Sequence, residues 1–317
     1  MNILKKASIM AAALLISATS FGFQAGAAEQ PPIDKNKLNL SLEVLVNARR
    51  VQFPDMKPID QNGRILVPLR FVSDKLGGKL SLKGNDITIV KGDRTVKLTI
   101  GAKTATANGK TITLDVAANA IKGRTMVPLR FISEALGEKV EWDSLNQYVW
   151  IGNKNVPKIE DVLKADKLSN YAKYLSGSLN DDVTETVTGV KYSQIRIAKS
   201  SDFPLKIGDY IYYRIDKALD IKGNEYTRLV CTVSGSGLGD PLYLLRDKLP
   251  IRKRHELTSI RETQNGMMVQ YHQIVDVADR DLYGAKDYDK LKIKDIDYVL
   301  LYTPLDFSVV FKPDFLQ

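Results

Sequence analysis

A fifteen-residue segment that occurs twice in this chain of 317 residues constrains the fold more than any other feature. It reads Gly-Arg-x-x-Val-Pro-Leu-Arg-Phe-[Val/Ile]-Ser-x-x-Leu-Gly, from Gly63 to Gly77 and again from Gly123 to Gly137. Similar sequence favours similar local structure, so the two copies predict one supersecondary unit built twice.

Within each copy, the spacing predicts a short helix between strands. Pro68 and Pro128 suit a first helical turn, where the missing N–H costs nothing. The apolar residues recur at i, i+3 and i+7, which predicts one buried stripe per helix. The stripe residues are Leu69, Val72 and Leu76 in the first copy and Leu129, Ile132 and Leu136 in the second. Gly77 and Gly137 are predicted to end the helices in the left-handed conformation.

Alternating residues on both sides of each helix predict strands. Turns near Asn47 and Asn108 precede predicted strands at 51–53 and 112–114. After the helices, hairpins are predicted to pair 80–82 with 87–89 and 140–142 with 149–151, and 95–100 is a linking strand. The region 36–153 is therefore predicted to be one α+β module, in which antiparallel strands pack on two short helices.

Comparison of the copies assigns the aromatic residues of the last hairpin to two faces. Trp142 aligns with Leu82, which predicts a core position. Trp150 aligns with Thr88 while its neighbours align with isoleucines, so Trp150 and Tyr148 are predicted to face away from that core. We favour packing of this pair against a following domain; stacking on the sugar rings of a bound glycan is the alternative.

Two arginines, Arg70 and Arg130, occupy the same place in the first helical turn of both copies. The helix dipole disfavours a cation there, so another interaction is expected to hold them. The favoured interpretation is a guanidinium that braces nearby carbonyls or a carboxylate. The alternative is a ligand-binding role toward phosphate or uronate.

The paired segments, the Val-x-Trp-Asp at Val140–Asp143 and the Asn-Gly-Lys at 108–110 resemble the copper amine oxidase N-terminal-like domain, also called the stalk domain. The resemblance covers about 36–153 and implies a non-catalytic accessory module common in exported bacterial proteins. The first copy departs from the pattern, because Ala48 replaces the turn glycine and Leu82-Lys83 replaces Trp-Asp. These changes weaken any transfer of a surface function to that copy.

Copper amine oxidase chemistry itself is excluded by the available residues. The resemblance would require three metal-binding histidines and a cofactor tyrosine in Asn-Tyr-[Asp/Glu], whereas the chain has two histidines and an Asn170-Tyr171 followed by Ala172. We therefore expect no cofactor and no metal.

Asn265-Gly266 predicts a two-residue hairpin turn, which would place His272 opposite Ser259 and His255 opposite Asp276.

The N-terminus, residues 1–28, has the layout of a signal peptide: Lys5 and Lys6, an apolar run, then small residues. No cysteine lies near the cleavage point, so we expect a secreted protein without a lipid anchor. No second long apolar run is present, so we expect no membrane span.

The formal charge is +9, and it is +7 without the leader residues Lys5 and Lys6. A basic exported protein is attracted to anionic polymers, so the expected partners are an anionic wall polymer or glycan, or another surface protein. The dispersed cations do not indicate nucleic acid, and Arg252-Lys253-Arg254 is too short a run for such a site.

The region 158–317, after a linker at 154–158, is predicted to be a β-rich domain. A helix is expected at 159–175. The predicted strands are 184–190, 194–198, 210–215, 226–233, 242–245, 256–264, 267–275, 298–302 and 308–311. The single cysteine, Cys231, is predicted to be a small buried residue.

Chemistry-bearing groups in this region are few. The glycine-rich segment 234–239 lacks the Lys-Ser/Thr of a phosphate-binding loop. Four acids could supply a carboxylate pair for glycoside hydrolysis, although solvated loop acids are the simpler interpretation. They are Asp279, Asp281, Asp287 and Asp289. The sequence therefore favours a non-enzymatic surface or wall protein; a secreted glycan-directed hydrolase and a secreted inhibitor or adaptor are the alternatives.

Overall fold

A computed structural model gives the fold of the protein. It describes residues 31–176, 184, 191–233, 242–257, 261–284, 286, 288–301, 305 and 307–314. The leader at 1–28, the 234–239 segment, Ser259, Asp287 and nearly all of the predicted strand at 184–190 lie outside the described residues. Among the described helices, none is long and apolar enough to cross a membrane.

The described chain is mostly β with a few short helices, as the sequence predicts. The N-terminal part contains β1 (Glu43–Val46), β2 (Arg49–Arg50), β3 (Ile59–Gln61), β4 (Arg64–Pro68), α1 (Leu69–Lys75), β5 (Lys79–Lys83), β6 (Asp86–Lys91), β7 (Arg94–Thr99), β8 (Thr104–Ala107), β9 (Lys110–Thr113), β10 (Asn119–Ile121), β11 (Arg124–Pro128), α2 (Leu129–Ala135), β12 (Val140–Asp143) and β13 (Tyr148–Ile151). The two repeats are therefore two strand-helix-hairpin units in the same element order.

Three sheets organise this part, in the orders β10-β11-β4-β3, β12-β13-β1-β2 and β5-β6-β7-β8-β9. Both predicted hairpins and the linking strand are confirmed, with Leu82 opposite Ile87 and Trp142 opposite Val149. One pairing is not antiparallel, because β1 runs parallel to β13. The first strands of the two copies meet in one sheet, where β4 pairs with β11.

The predicted helices and caps are confirmed with small shifts at their starts. All six stripe residues are buried and join one core with β-strand residues of both copies. Gly77 and Gly137 have φ of 74° and 89°, as left-handed caps require. Pro68 and Pro128 end the preceding strands and lie one residue before the helices, rather than within the first turn.

One prediction around the first turn is wrong, and the turn itself keeps its conformation without the usual glycine. Residues 51–53 do not form a strand, because the pairing of β2 with β1 ends at Arg50. Ala48 takes φ of 58°, a conformation that favours glycine, and it is nevertheless buried against the neighbouring aromatic residues. The methyl group of Ala48 therefore contributes packing in a strained turn.

The C-terminal part consists of two sheets with a shared core. Its elements are α3 (Ile159–Val162), β14 (Asp166–Lys167), a 3₁₀ helix (Leu168–Tyr174), β15 (Gln194–Ala198), β16 (Leu205–Ile207), β17 (Tyr210–Leu219), β18 (Glu225–Thr232), β19 (Leu242–Leu245), β20 (Arg252–Arg254), β21 (Glu262–Gln264), β22 (Met267–Gln273), α4 (Ala278–Tyr283), β23 (Tyr298–Leu301) and β24 (Ser308–Phe311). The strand orders are β14-β15-β24-β23-β19-β20 and β16-β17-β18-β22-β21.

The largest apolar core of this part takes residues from both sheets, among them Ile215 and Leu229 from one and Leu244 and Val309 from the other. This core contains the buried Cys231, as predicted. The single helix predicted at 159–175 is wrong. That segment forms one four-residue helix, a short strand and a 3₁₀ helix, because only Ile159 and Leu168 of its apolar residues are fully buried and each lies in a different cluster.

Candidate functional site

An open groove on the N-terminal part is the candidate binding site. It has a volume of about 780 Å³ and lies where the ends of three sheets approach each other, at the β3–β4 turn, the edge strand β9 and the edge strand β12. We call it the Trp142 groove. Its apolar surface includes Leu42, Ile65, Ile112, Leu114, Phe131, Val140 and Trp142, and its charged residues are Asp60, Arg64, Asp115, Arg130 and Glu134.

Trp142 is half-exposed in this groove, so the prediction that it belongs to the core is wrong. Its side chain lies on the core side of the sheet, since it is directly opposite Val149 and opposed residues share a face. However, both residues line the groove, and Trp142 is 45% exposed. The core side of the sheet is open at this position, as it is at Leu82 in the first copy, which is 51% exposed.

The two copies differ in how this face is filled. In the first copy, the ring of Phe53 packs edge-on against Phe71, with ring centroids 6.0 Å apart. The second copy has Leu114 in the place of Phe53 and Phe131 in the place of Phe71, and both line the groove. At the first of these positions, the second copy thus has a leucine instead of an aromatic ring. It also has Trp142 where the first copy has Leu82.

The charged residues of the groove are exposed and form weak or solvated pairs. Arg64 pairs with Asp115, and their side chains are 52% and 67% exposed. Arg130 reaches Glu134 only at 4.0 Å, with the two side chains 68% and 57% exposed. Pairs of this kind contribute little to stability, so these side chains remain accessible for a ligand.

The two predicted arginine sites therefore differ in their surroundings. Arg130 lines the groove with Trp142, whereas Arg70 does not. Arg70 is exposed and makes no side-chain hydrogen bond with any described residue. Arg70 therefore lacks the predicted bracing contact among the described residues, whereas Arg130 has only its long, exposed pair with the carboxylate of Glu134. A ligand-binding role stays a prediction at both positions.

The aromatic pair Tyr148 and Trp150 is buried, with 0% and 3% of the residue surface exposed. Trp150 packs edge-on against Tyr213 of the C-terminal part, with ring centroids 6.4 Å apart. The hydroxyl of Tyr148 donates to the backbone oxygen of Tyr213 at 2.7 Å. Burial raises the pKa of Tyr148, which keeps this donor protonated. The pair thus packs against the following part of the chain and offers no surface to a glycan.

A buried ionic cluster, which the sequence interpretation missed, lies beside this aromatic contact. We call it the Asp216 cluster: Asp216 accepts hydrogen bonds from Arg214 Nε at 2.8 Å and from Arg228 Nη1 at 3.0 Å. Both arginines also donate to backbone oxygens of the N-terminal part, at Ser41, Leu145 and Asn146. The sequence contains one signal for this cluster, because Arg214 and Asp216 carry opposite charges and lie two residues apart on one strand.

A second buried cluster involves the basic run of 252–254. Arg252 and Arg254 both pair with Asp279, at 2.9 and 2.6 Å, and all three side chains are at most 8% exposed. We call this the Asp279 cluster. The interpretation of Asp279 as a solvated loop acid is therefore wrong, because its carboxylate is fully buried and pairs with two buried guanidinium groups. Asp281 and Asp289 are exposed.

The two histidines do not share a face. The turn at Asn265-Gly266 and its predicted pairing of Gln264 with Met267 are confirmed. Further along, His272 lies opposite Glu256 rather than Ser259, since the register shifts by three residues. His272 is buried and His255 is exposed. In the described part of the chain, no three His, Cys, Asp or Glu side chains are arranged to hold a metal ion.

We expect His272 to make the stability of the protein depend on pH. Burial lowers the pKa of His272 from 6.5 to about 4, and Nδ1 lies 3.4 Å from the backbone oxygen of Arg254. Because the unfolded chain binds this proton below about pH 6.5 and the folded chain only near pH 4, the free energy of unfolding should fall between these values. The expected loss from this group is about 3 kcal/mol, at ~1.4 kcal/mol per pH unit.

Urea unfolding at about pH 7 and pH 4 would measure this effect in His272→Gln. The variant should lose less stability on acidification than the unaltered protein, because glutamine does not titrate. His255→Gln is the matched control, since His255 is exposed and is the only other histidine. Equal pH dependence of His272→Gln and the unaltered protein would contradict the assignment.

The fold and groove define a duplicated β-module with two short helices, joined through buried contacts to a two-sheet C-terminal part. Residues 45–151 match the family described as the copper amine oxidase N-terminal domain, so this part of the chain is such a domain. The match covers about a third of the chain and contains most of the residues that line the Trp142 groove. It does not extend into the C-terminal part. No curated protein matches the chain significantly.

Proposed function

We propose that the protein is exported and acts as a non-catalytic binding protein at the cell surface or cell wall. In this proposal, the copper amine oxidase N-terminal domain is a stalk-like accessory module, and the C-terminal part is a β-rich binding or interaction domain. Export rests on the leader-like sequence of 1–28. The observation that carries the binding role is the Trp142 groove, an accessible concave surface with an aromatic side chain among charged ones.

The charge of the chain supports an association with anionic wall polymers. The sequence without the two leader lysines has a formal charge of +7. Four arginines are buried with Asp216 and Asp279, so the attraction depends on the exposed lysines and arginines instead. Attraction by dispersed surface charges is long-ranged at low salt and weak at high salt.

Retention on purified cell walls would test this function. We expect the protein to bind at low ionic strength and to dissociate progressively as salt is added, because exposed charges are screened. A variant with Lys83, Lys97 and Lys103, all exposed, changed to glutamine should be released at lower salt. Walls stripped of their anionic polymers are the control surface. Absence of retention at low salt, or retention that salt does not change, would contradict an electrostatic wall association.

A further inference from the structure

We propose that the Trp142 groove binds a neutral glycan, with a pyranose ring stacked on the indole of Trp142. This inference rests on the proposed binding function and names the ligand class of its accessible site. The groove volume of about 780 Å³ lies within the range of pockets that hold small ligands, roughly 300–1,000 Å³.

The apolar surface of the groove fits a ring face. Trp142 and Ile112 are 45% and 38% exposed, and both lie on strands that border the opening. Exposed apolar side chains that lie together and are rimmed by polar residues are typical of ligand-binding grooves. An indole presents a broad flat face, and the C–H side of a pyranose is a flat apolar partner of similar width.

The charged residues favour a ligand with many hydroxyl groups and no net charge. The groove holds three acids, Asp60, Asp115 and Glu134, and two bases, Arg64 and Arg130. A polyanion would meet this acidic excess at close range, which lowers its affinity. A hydroxyl group both donates and accepts, so it can pair with carboxylates and guanidinium groups alike.

The strand edges at the groove argue against an extended peptide that would add a strand. Both β9 and β12 are only four residues long, and short, charged edges prevent strand addition. β9 begins at the exposed Lys110. In β12, hydrogen bonds from Lys139 and Lys154 hold the pKa of Glu141 at about 2, so a charged network flanks this edge.

The first copy of the repeat supplies the replacement residues for the variants that test the groove. Trp142→Leu installs the residue found at Leu82 and removes the stacking surface. Leu114→Phe installs the residue found at Phe53, whose ring packs against Phe71; because Leu114 is a buried residue that lines the groove, the larger ring should narrow the groove. Leu82→Ala is the matched control, since it truncates the equivalent exposed side chain outside the groove.

Isothermal titration calorimetry with soluble oligosaccharides would test the inference. The probes are two neutral β-1,4-linked tetrasaccharides, one of glucose and one of N-acetylglucosamine, with a galacturonate tetramer as the anionic arm and an extended uncharged hexapeptide as the peptide arm. We expect binding of at least one neutral tetrasaccharide, insensitive to salt, and at least about tenfold weaker binding by Trp142→Leu and Leu114→Phe. Leu82→Ala should bind as the unaltered protein does.

The outcomes separate this inference from the proposed function. Salt-dependent retention on walls without binding of either neutral tetrasaccharide overturns the glycan inference alone. Binding of the galacturonate or the peptide only, or affinity unchanged by Trp142→Leu, overturns it as well. Loss of wall retention with neutral-glycan binding intact overturns the electrostatic wall association instead. If Leu114→Phe does not fold, Trp142→Leu decides the result, because an exposed position tolerates leucine.

Discussion

Replacement of Asp279 by alanine should lower the free energy of unfolding by about 3–5 kcal/mol, the usual cost of breaking a buried ion pair from one side. Asp279 is fully buried and pairs with both Arg252 and Arg254. The variant would remove the carboxylate that these two buried guanidinium groups share. The remaining acceptors of Arg254, the backbone oxygens of Lys253 and Ile274, are dipoles and cannot neutralise it.

Urea unfolding of Asp279→Ala beside Asp281→Ala would measure this cost. Asp281 lies two residues away on the same helix, but it is exposed and pairs with the neighbouring exposed Arg280. Its removal should therefore leave the midpoint nearly unchanged. Similar stability of the two variants would show that the Asp279 cluster is not the source of stabilisation that its burial indicates.

The structure of the repeat could be predicted because its signals are local. A proline before the helix, an apolar stripe and a glycine that adopts positive φ specify each unit within fifteen residues. The strand edges and hairpins follow from alternation in the same way. By contrast, Asp279 and Arg254 are 25 positions apart in the sequence, and nothing local distinguishes their pairing from two solvated charges.

Trp142 shows where sequence comparison between the copies stops being sufficient. Alignment with Leu82 placed both side chains on the correct face of their sheets, since Trp142 is opposite Val149 and Leu82 is opposite Ile87. It did not show whether that face is covered at the end of the strand. Coverage depends on residues from the neighbouring copy and on Leu114, so the groove is a tertiary feature.

The aromatic pair illustrates the opposite case. The alternation of residues in β13 correctly predicts that Trp150 faces away from the core of the repeat. Because a second domain begins soon after residue 153, the sequence also favours packing of Trp150 against that domain. The partner, Tyr213, lies more than sixty residues later and could not be named from the sequence. The ionic groups beside it were missed, because charged residues on strands are more often exposed than buried.

Asp216→Ala should destabilise the contact between the N-terminal and C-terminal parts of the chain. Asp216 pairs with both Arg214 and Arg228, which are 5% and 2% exposed as side chains. Removal of the shared carboxylate should cost about 3–5 kcal/mol, as for other broken buried pairs. The two arginines also hold the backbone at Ser41, Leu145 and Asn146, so the loss falls on the contact between two separate apolar cores.

The two tryptophans allow this contact to be observed directly. In the Trp142→Leu background, Trp150 is the remaining tryptophan, and it is packed against Tyr213 beside the Asp216 cluster. We expect its fluorescence in Asp216→Ala to change at lower urea than the circular dichroism of the strands, because the contact opens before the cores unfold. Asp247→Ala, which removes an exposed pair with Lys173, is the control and should keep the two transitions coincident. Coincident transitions in Asp216→Ala, at an unchanged midpoint, would mean that apolar packing around Trp150 holds the two parts together without the ionic cluster.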